Sequence, residues 1–328
     1  MDRVYKYKAT RPEDDTARVM RVFLDNLPED GKQNLQNDIY ACQSDEQIRA
    51  HAKCLVDGLL YPLKTRSCTP SIVTTPALLF SDSLEIKPPA MVETEARLLQ
   101  VKKDCLKRDG YRCLVSRVAD EGIPLDQSDE ETHWSETKCA HIVPFCLSIW
   151  DTVVERNAKA EIWANLNRCF PMLWNQLHFT QDSITDHRNA LTSFPMVYDH
   201  FRAFKFTMEK TDVEHRYKII NYRPRDIVGT YFPGSGIVSF EAADCRFELP
   251  SPELLEFHAT IARILHASGK AKQAEKILKD RKSTTSLAGD GSTDVGALLS
   301  TTSLGVLGSR ASCQHSTNDS TVSTGEKN

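Results

Sequence analysis

The sequence predicts an α+β protein, and two patterns support that fold class. Apolar residues recur at helical spacing near both ends of the chain, in residues 16–27 and again in residues 252–269. Between these helices, short runs rich in β-branched and aromatic residues alternate with turn glycines and prolines, as in residues 217–222 and 236–240. We therefore expect helices packed around small sheets.

Further elements follow from the same two periodicities and from helix caps. Ser44 and Ser251 are predicted N-caps, and Pro252 suits the first turn of the helix that follows Ser251. The other predicted helices are at residues 35–40, 45–63, 91–106, 147–177 with a break near Pro171, 196–206 and 270–281. Strands are predicted at residues 111–116, in the segment that ends near His141, and at residues 217–222, 236–240 and 245–249. The first two strands would form a hairpin with a long acidic connection.

Length and composition allow one sizeable domain with flanking segments. The 328 residues are 40% hydrophobic and 26% charged, which is ordinary for a chain with a buried core. We predict an N-terminal helical segment (1–64), a linker rich in Pro, Ser and Thr (65–90), a central domain with C-terminal helices (91–282) and a tail (283–328). Ser, Thr and Gly make up 24 of the 46 tail residues, so we expect the tail to be disordered.

Several functional classes lack support in the sequence. No apolar run approaches the roughly 20 residues that cross a bilayer, and the N-terminus has no apolar signal core, so we expect a cytoplasmic or nuclear protein without membrane contact. An intracellular location predicts that the ten cysteines are reduced thiols. The sequence contains no Cys-x-x-Cys pair, which argues against a zinc finger. Glycine patterns of nucleotide sites are absent, so no nucleotide cofactor is expected.

Two short motifs are the most specific features of the chain. The first is Lys-Cys-Ala-His-Ile-Val-Pro-Phe at residues 138–145, in which His141 follows a small residue and precedes an apolar pair and a proline. The second is Ile-Thr-Asp-His-Arg-Asn-Ala-Leu at residues 184–191, a turn-rich segment that contains Asn189. Upstream of both lies Arg-Asp-Gly-Tyr-Arg-Cys-Leu-Val-Ser at residues 108–116.

The order of these motifs resembles that of the HNH, or ββα-metal, endonucleases, in the variant common in fungal proteins. The likeness covers roughly residues 98–280. It implies a ββα-metal core embedded in helices with a small accessory sheet, and metal-dependent hydrolysis of DNA. By this resemblance His141 is the general base, and Asn189 holds the loop that aims it. The implied cofactor is a divalent metal ion, namely Mg²⁺, Mn²⁺ or Zn²⁺.

The sequence departs from the family pattern where the metal is bound. Ala140 precedes the base, as in the fungal variant, where many HNH sites have a ligand. Tyr198 stands nine residues after Asn189, where the pattern usually has histidine. The candidate metal ligands are therefore Tyr198 and His200, although His200 is about 200° further round a helix. Asp199 and His187 are other possible donors.

Two functions remain open from the sequence. One is a metal-dependent endonuclease, and the other is a degenerate HNH fold that binds nucleic acid or protein without catalysis. The net charge of −4 requires a local positive surface for DNA binding. The candidate DNA contacts are Arg112, Arg188, Arg202 and Lys205. A hydrolase that uses Cys139 or Cys146 lacks any nucleophile signature, and His258 and His266 are predicted to be packing or surface residues.

Overall fold

A computed structural model of the protein describes residues 2–66, 89–127, 132–149 and 153–283. Most of the predicted linker and all of the tail beyond Ser283 lie outside the described residues. Within these ranges the chain forms eleven α-helices and seven short strands, which confirms the α+β class.

The helices precede, separate and follow the strands. They are α1 (Asp2–Lys6), α2 (Thr16–Asn26), α3 (Glu29–Ala41), α4 (Asp45–Leu55), α5 (Tyr61–Arg66), α6 (Pro89–Arg108), α7 (Val153–Cys169), α8 (Pro171–Asn175), α9 (Pro195–Arg202), α10 (Pro252–Ala267) and α11 (Lys270–Ser283). A π-helical turn, Val56–Leu60, joins α4 to α5.

The strands form three small sheets. They are β1 (Ala119–Asp120), β2 (Trp134–Ser135), β3 (Lys138–His141), β4 (Ala190–Ser193), β5 (Phe206–Lys210), β6 (Arg216–Asn221) and β7 (Ile237–Ser239). β1 pairs with β2 in parallel, β3 pairs with β4 in antiparallel register, and β5, β6 and β7 form an antiparallel sheet in that order.

The helix caps predicted from the sequence are present. The Ser44 hydroxyl accepts a hydrogen bond from the Gln47 amide at 3.3 Å, at the start of α4. At the start of α10 the Ser251 hydroxyl accepts one from the Leu254 amide at 3.4 Å. Because each cap satisfies an amide that has no partner within the helix, it fixes where the helix begins.

The N-terminal helices share one hydrophobic core with the rest of the described chain. Phe23 of α2 and Leu59 of the π turn belong to the same buried cluster as Phe257 of α10. α3 and α7 approach so closely at Gly31 that a Cβ atom there would lie 1.8 Å from the Cys169 carbonyl oxygen. A side chain at this position is therefore incompatible with the contact between the two helices.

Two predicted strands are wrong. Residues 111–116 form turns, apart from an isolated bridge between Arg112 and Ala119. Gly110 (φ 62°) and Tyr111 (φ 55°) are left-handed, and Cys113 to Val115 are buried. Residues 245–249 form bends and turns, and β5 occupies the third position of the accessory sheet instead. In both segments the apolar or β-branched residues reflect burial or local turns rather than a sheet.

The strand that carries His141 pairs with a segment far along the chain. β3 lies antiparallel to β4, with His141 opposite Ala190 and Lys138 opposite Ser193. β4 leads directly into α9, which packs against β3. This ββα unit replaces the predicted hairpin with residues 111–116, and residues 142–189 lie between its two strands.

Candidate active site

The end of β3 and the start of β4 bring His141 and Asn189 together. Beyond the strand pairing, the Ile142 amide donates to the Asn189 carbonyl oxygen at 2.8 Å. The hydrogen-bonded pairing thus continues one residue past His141, where the chain turns into Val143 and Pro144. Two motifs that are widely separated in the sequence meet at this point.

The Asn189 side chain holds the backbone that follows His141. Its Oδ1 accepts a hydrogen bond from the Val143 amide at 2.8 Å, and its Nδ2 donates to the Val143 carbonyl at 3.1 Å. Nδ2 also donates to the Ile184 carbonyl at 2.9 Å, and the residue is fully buried. These are the contacts expected of a residue that fixes the loop beside a histidine, since both the donor and the acceptor of the amide are used.

A buried ion pair at the end of α6 supports β4, and the sequence alone assigns it no role. The Arg108 guanidinium at the end of α6 binds the Asp109 carboxylate at 2.6 and 3.0 Å, and neither side chain is exposed. Arg108 also donates to the carbonyls of His187 and Ala190, at 2.7 and 2.9 Å. Asp109 accepts from the Thr192 amide at 2.9 Å. In the sequence the two residues appear only as part of the Arg-Asp-Gly motif. Their structural role is not predictable from it, because their partners are backbone atoms far along the chain.

His141 is a neutral histidine with an unused nitrogen. Its Nε2 is inaccessible to solvent, although part of the residue is exposed, and it has no hydrogen-bond partner among the described residues. Burial and the positive charge of Arg202 lower the pKa of His141 to about 4. At neutral pH the ring is therefore uncharged and can accept a proton at one nitrogen. Its ring centroid lies 5.8 Å from that of Phe145.

On the face of β3 that contacts α9, neither side chain belongs to a residue type that commonly binds metal ions. Side chains alternate along a strand, so Lys138 and Ala140 share a face. Lys138 Nζ lies 4.9 Å from the ring centroid of Tyr198 on α9, and Ala140 is fully buried. From α9 itself, Arg202 donates to the Tyr198 hydroxyl at 2.7 Å, and its guanidinium carbon is 4.9 Å from the same ring.

His200 is directed elsewhere. Its Nδ1 lies 2.8 Å from the Met196 carbonyl oxygen, and its Nε2 lies 3.3 Å from an Asp226 carboxylate oxygen. Both contacts lie away from Tyr198, as expected for residues two positions apart on a helix. The structure therefore does not bring Tyr198 and His200 to one centre.

The other possible donors also have separate neighbours. An Asp199 carboxylate oxygen lies 4.0 Å from Lys138 Nζ, and the Asp199 side chain is 66% exposed. His187 lies beside the Asp186 carboxylate, 3.6 Å away, and packs edge-on against Phe247.

These residues do not fit a divalent metal ion. Mg²⁺ and Mn²⁺ prefer carboxylate oxygens, and Zn²⁺ prefers thiolate, imidazole and carboxylate ligands. Around the Tyr198 ring lie the ammonium of Lys138 and the guanidinium of Arg202, neither of which can bind a metal cation. Across residues 2–66, 89–127, 132–149 and 153–283, no group of three His, Cys, Asp or Glu side chains could hold a metal.

All four candidate DNA contacts have partners within the protein. Arg112 donates to the carbonyls of Arg117 and Gln127, at 3.3 Å each, and so closes a loop. Arg188 donates to the Asp186 carboxylate at 2.8 and 3.1 Å. The ammonium of Lys205 lies 4.0 Å from the carboxylate of Asp226. Arg202 donates to the Tyr198 hydroxyl, and its positive charge contributes to the lowered pKa of His141.

The remaining thiol and histidine candidates have structural neighbours. Cys139 lies against Cys105 of α6, and the hydrogen bond between the thiols, together with burial, raises the pKa of Cys105 well above its ordinary value. His258 is fully buried between two phenylalanine rings, and His266 stacks on Tyr222 with 3.9 Å between ring centroids.

Among the described residues, none of the helices has the length and apolar character needed to cross a membrane. Comparison with protein-family models, with curated proteins and with solved structures finds no match for this chain.

Proposed function

We propose that the chain is a nucleic-acid-binding module on an HNH-like ββα unit, in which phosphate binding by cationic side chains has replaced metal-dependent hydrolysis. The observation that carries the proposal is which side chains surround Tyr198 at the contact of β3 with α9. Lys138 and Arg202 contact one tyrosine there, at the helix position where the HNH pattern has a metal ligand.

The chemistry of these side chains favours binding over hydrolysis. A divalent ion in a nuclease stabilises charge on the phosphoryl oxygens and generates the nucleophile. An ammonium and a guanidinium can supply the first function, because they attract phosphate oxygens and donate hydrogen bonds to them. They cannot lower the pKa of a bound water as a metal does. The site thus keeps affinity for a phosphodiester and lacks the groups for metal-assisted attack.

A second function is favoured by His141. This residue is neutral, and its Nε2 lacks a hydrogen-bond partner among the described residues, which is the state required of a general base at pH 7. Asn189 fixes the backbone beside it by two hydrogen bonds to Val143. An endonuclease that hydrolyses DNA with His141 as the base is therefore the alternative.

One pair of assays separates the two functions. Purified protein is tested for binding to a fluorescent DNA duplex in EDTA, and for nicking of supercoiled plasmid with Mg²⁺, Mn²⁺, Zn²⁺ or Ni²⁺. We expect binding in EDTA and no nicking with any metal. Nicking that His141→Ala abolishes would establish the endonuclease and overturn the binding module.

A charge-matched variant controls the binding assay. Arg18 lies on α2, outside the ββα unit; its side chain is 53% exposed, and its guanidinium contacts Asp15. Arg18→Gln removes one positive charge from the protein and should leave DNA affinity unchanged. Failure of the wild-type protein to bind duplex or single-stranded DNA in EDTA would contradict the proposed function.

A further inference from the structure

We propose that Cys105 and Cys139 are a redox-active thiol pair, which a peroxide converts into a disulfide that ties α6 to β3. This inference goes beyond the proposed function and does not depend on it. Both residues are free thiols, one on the helix that precedes the ββα unit and one on the first strand of that unit. The two residues are called the thiol pair below.

The thiol pair lies at the contact of α6 with β3. Cys139 packs against a small buried cluster that is formed by Val101, Cys105 and Ala190. A hydrogen bond joins the two thiol groups, so the sulfur atoms are neighbours. A disulfide requires two cysteine side chains that point toward each other, and the hydrogen bond meets that requirement.

The Arg108–Asp109 ion pair at the end of α6 fixes the spacing between this helix and the two strands. Arg108 donates to the Ala190 carbonyl at 2.9 Å, and the Asp109 carboxylate accepts from the Thr192 amide at 2.9 Å. Thr192 is the residue of β4 that lies opposite Cys139. The two thiols are therefore held together by buried hydrogen bonds that do not involve sulfur.

The two thiols differ in their access to solvent. Cys105 is fully buried, whereas Cys139 is partly exposed. The hydrogen bond to Cys139, together with burial, raises the pKa of Cys105 well above its ordinary value. Because the thiolate is the nucleophile, Cys105 reacts poorly with a small oxidant that arrives from solvent. Cys139 is therefore the thiol that a peroxide meets first.

The oxidation proceeds in two balanced steps. In the first, the Cys139 sulfur attacks one oxygen of hydrogen peroxide, the O–O bond breaks, and a sulfenic acid and water form. In the second, the Cys105 sulfur attacks the Cys139 sulfur, the S–S bond forms, and hydroxide leaves as water with the proton of the Cys105 thiol. Two thiols and one peroxide thus give one disulfide and two waters, and the two electrons lost by sulfur reduce the peroxide.

A positive charge beside the buried thiol assists the second step. Arg108 follows Cys105 by three residues on α6, and its charge lowers the pKa of Cys105, against the larger effects of the hydrogen bond and burial. The guanidinium is itself fully buried, so solvent screens this attraction little. The hydrogen bond between the thiols no longer exists once Cys139 is oxidised, while the charge of Arg108 remains to stabilise the attacking thiolate.

The first test is oxidation of the folded, full-length protein with one equivalent of hydrogen peroxide, followed by alkylation, digestion and mass spectrometry. We expect a disulfide between Cys105 and Cys139 that dithiothreitol reduces again. The same treatment in urea should spread the linkages over other cysteines, because the unfolded chain does not hold the pair together. Cys245→Ala removes an exposed thiol outside the pair and should leave the native linkage unchanged.

Three results would overturn the thiol pair. In the first, Cys139 of the folded protein is linked to a different cysteine. In the second, Cys139 is oxidised to a sulfinic acid while Cys105 remains open to alkylation after unfolding. In the third, both residues stay reduced while the exposed Cys245 is oxidised.

Single variants test the order of the two steps. In Cys105→Ala the sulfenic acid on Cys139 has no second thiol to react with, so dimedone should label Cys139. In Cys139→Ala the remaining thiol is buried, so dimedone should not label Cys105 as long as circular dichroism shows a folded protein. Labelling of Cys105 there would overturn the assigned order. The disulfide itself is mapped in the wild-type protein and needs neither variant to fold.

The stability of the oxidised protein tests whether the fold pre-positions the pair. The disulfide closes a loop from residue 105 to residue 139 in the unfolded chain, which lowers the entropy of that chain. We expect the urea midpoint of the oxidised protein to be about 1 M higher than that of the reduced protein. Cys139→Ala should show no shift after the same treatment. A wild-type midpoint that does not rise would mean that the fold must distort to join the sulfur atoms, and it would overturn the pre-positioned pair.

Discussion

His141 and His258 are both neutral histidines with solvent-inaccessible ring atoms, and they differ in how their nitrogens are used. Burial lowers the pKa of His258 to about 3, and that of His141 is lowered to about 4. His258 has both nitrogens in hydrogen bonds, with the Thr207 hydroxyl at 3.2 Å and the Phe201 carbonyl at 3.0 Å. The Nε2 of His141 has no partner within the described residues.

The contrast shows that a lowered pKa alone does not identify a functional histidine. His258 stacks between Phe201 and Phe204, with 3.9 and 4.5 Å between ring centroids, and connects α10 to β5 and α9. Its polar atoms are fully satisfied, which is the usual state of a structural residue in a core. An unsatisfied buried nitrogen has an energetic cost, and a chemical role is one explanation for it.

The largest expected difference between the two histidines is in stability. His258→Ala should lower the free energy of unfolding by about 3–5 kcal/mol, because it leaves a cavity and removes two hydrogen bonds. His141→Ala should lower it by only about 1 kcal/mol, since its Nε2 has no bond to lose. Urea denaturation at pH 7 measures both values. Equal losses in the two variants would contradict the distinction.

The pH dependence of stability should also distinguish His141. The unfolded chain binds a proton at this residue near its ordinary pKa of 6.5, while the folded chain does so only near 4. Protonation of His141 therefore favours the unfolded chain. Stability is unaffected above pH 6.5, and it falls by roughly 3 kcal/mol in total as the pH is lowered from 6.5 through 4. Urea denaturation at several pH values should show a shallower decline in His141→Ala than in the wild type. Parallel curves would mean that the histidine is not desolvated.

A further effect concerns Asn189, the residue that holds the loop beside His141. Asn189→Ala should cost about 2 kcal/mol, because two buried backbone groups of Val143 and one of Ile184 lose their partner. Asn189→Asp is the sharper control, since its carboxylate can still accept from the Val143 amide but cannot donate to either carbonyl. We expect Asn189→Asp to be destabilised as well, as measured by urea denaturation. Wild-type stability in both variants would show that the loop is held by other contacts.

Features governed by short-range chemistry were predictable. The Ser251 cap and the proline after it predict the start of α10, and the predicted end at residue 269 lies two residues beyond the observed one. The accessory strand β6 followed from its β-branched residues, to within one residue at each end. Asn189 was selected through the family resemblance, and its contacts with Val143 needed the fold.

Features that depend on distant parts of the chain were not predictable. Residues 113–115 have a strand-like composition, yet left-handed residues at 110, 111 and 117 curl this segment, and the Leu114 amide donates to Thr192. The true partner of β3 is β4, which nothing in the sequence near β3 indicates. The contacts of Lys138 and Arg202 with Tyr198 were not predictable for the same reason. Strand and helix periodicities show which residues share a face of an element, but they do not show which other element packs on that face.

The connectivity of β3 and β4 has a consequence for the kinetics of folding. The two ends of segment 142–189 must come together before β3 and β4 can pair. Closing a loop of that length costs chain entropy, which the formation of a local helix does not. Contacts between sequence-distant residues form slowly in general. α7 lies within this segment and packs closely on α3 at Gly31, so its docking shortens the remaining search. The strand pairing beside His141 should therefore be among the last parts of the protein to form during refolding, after the helices.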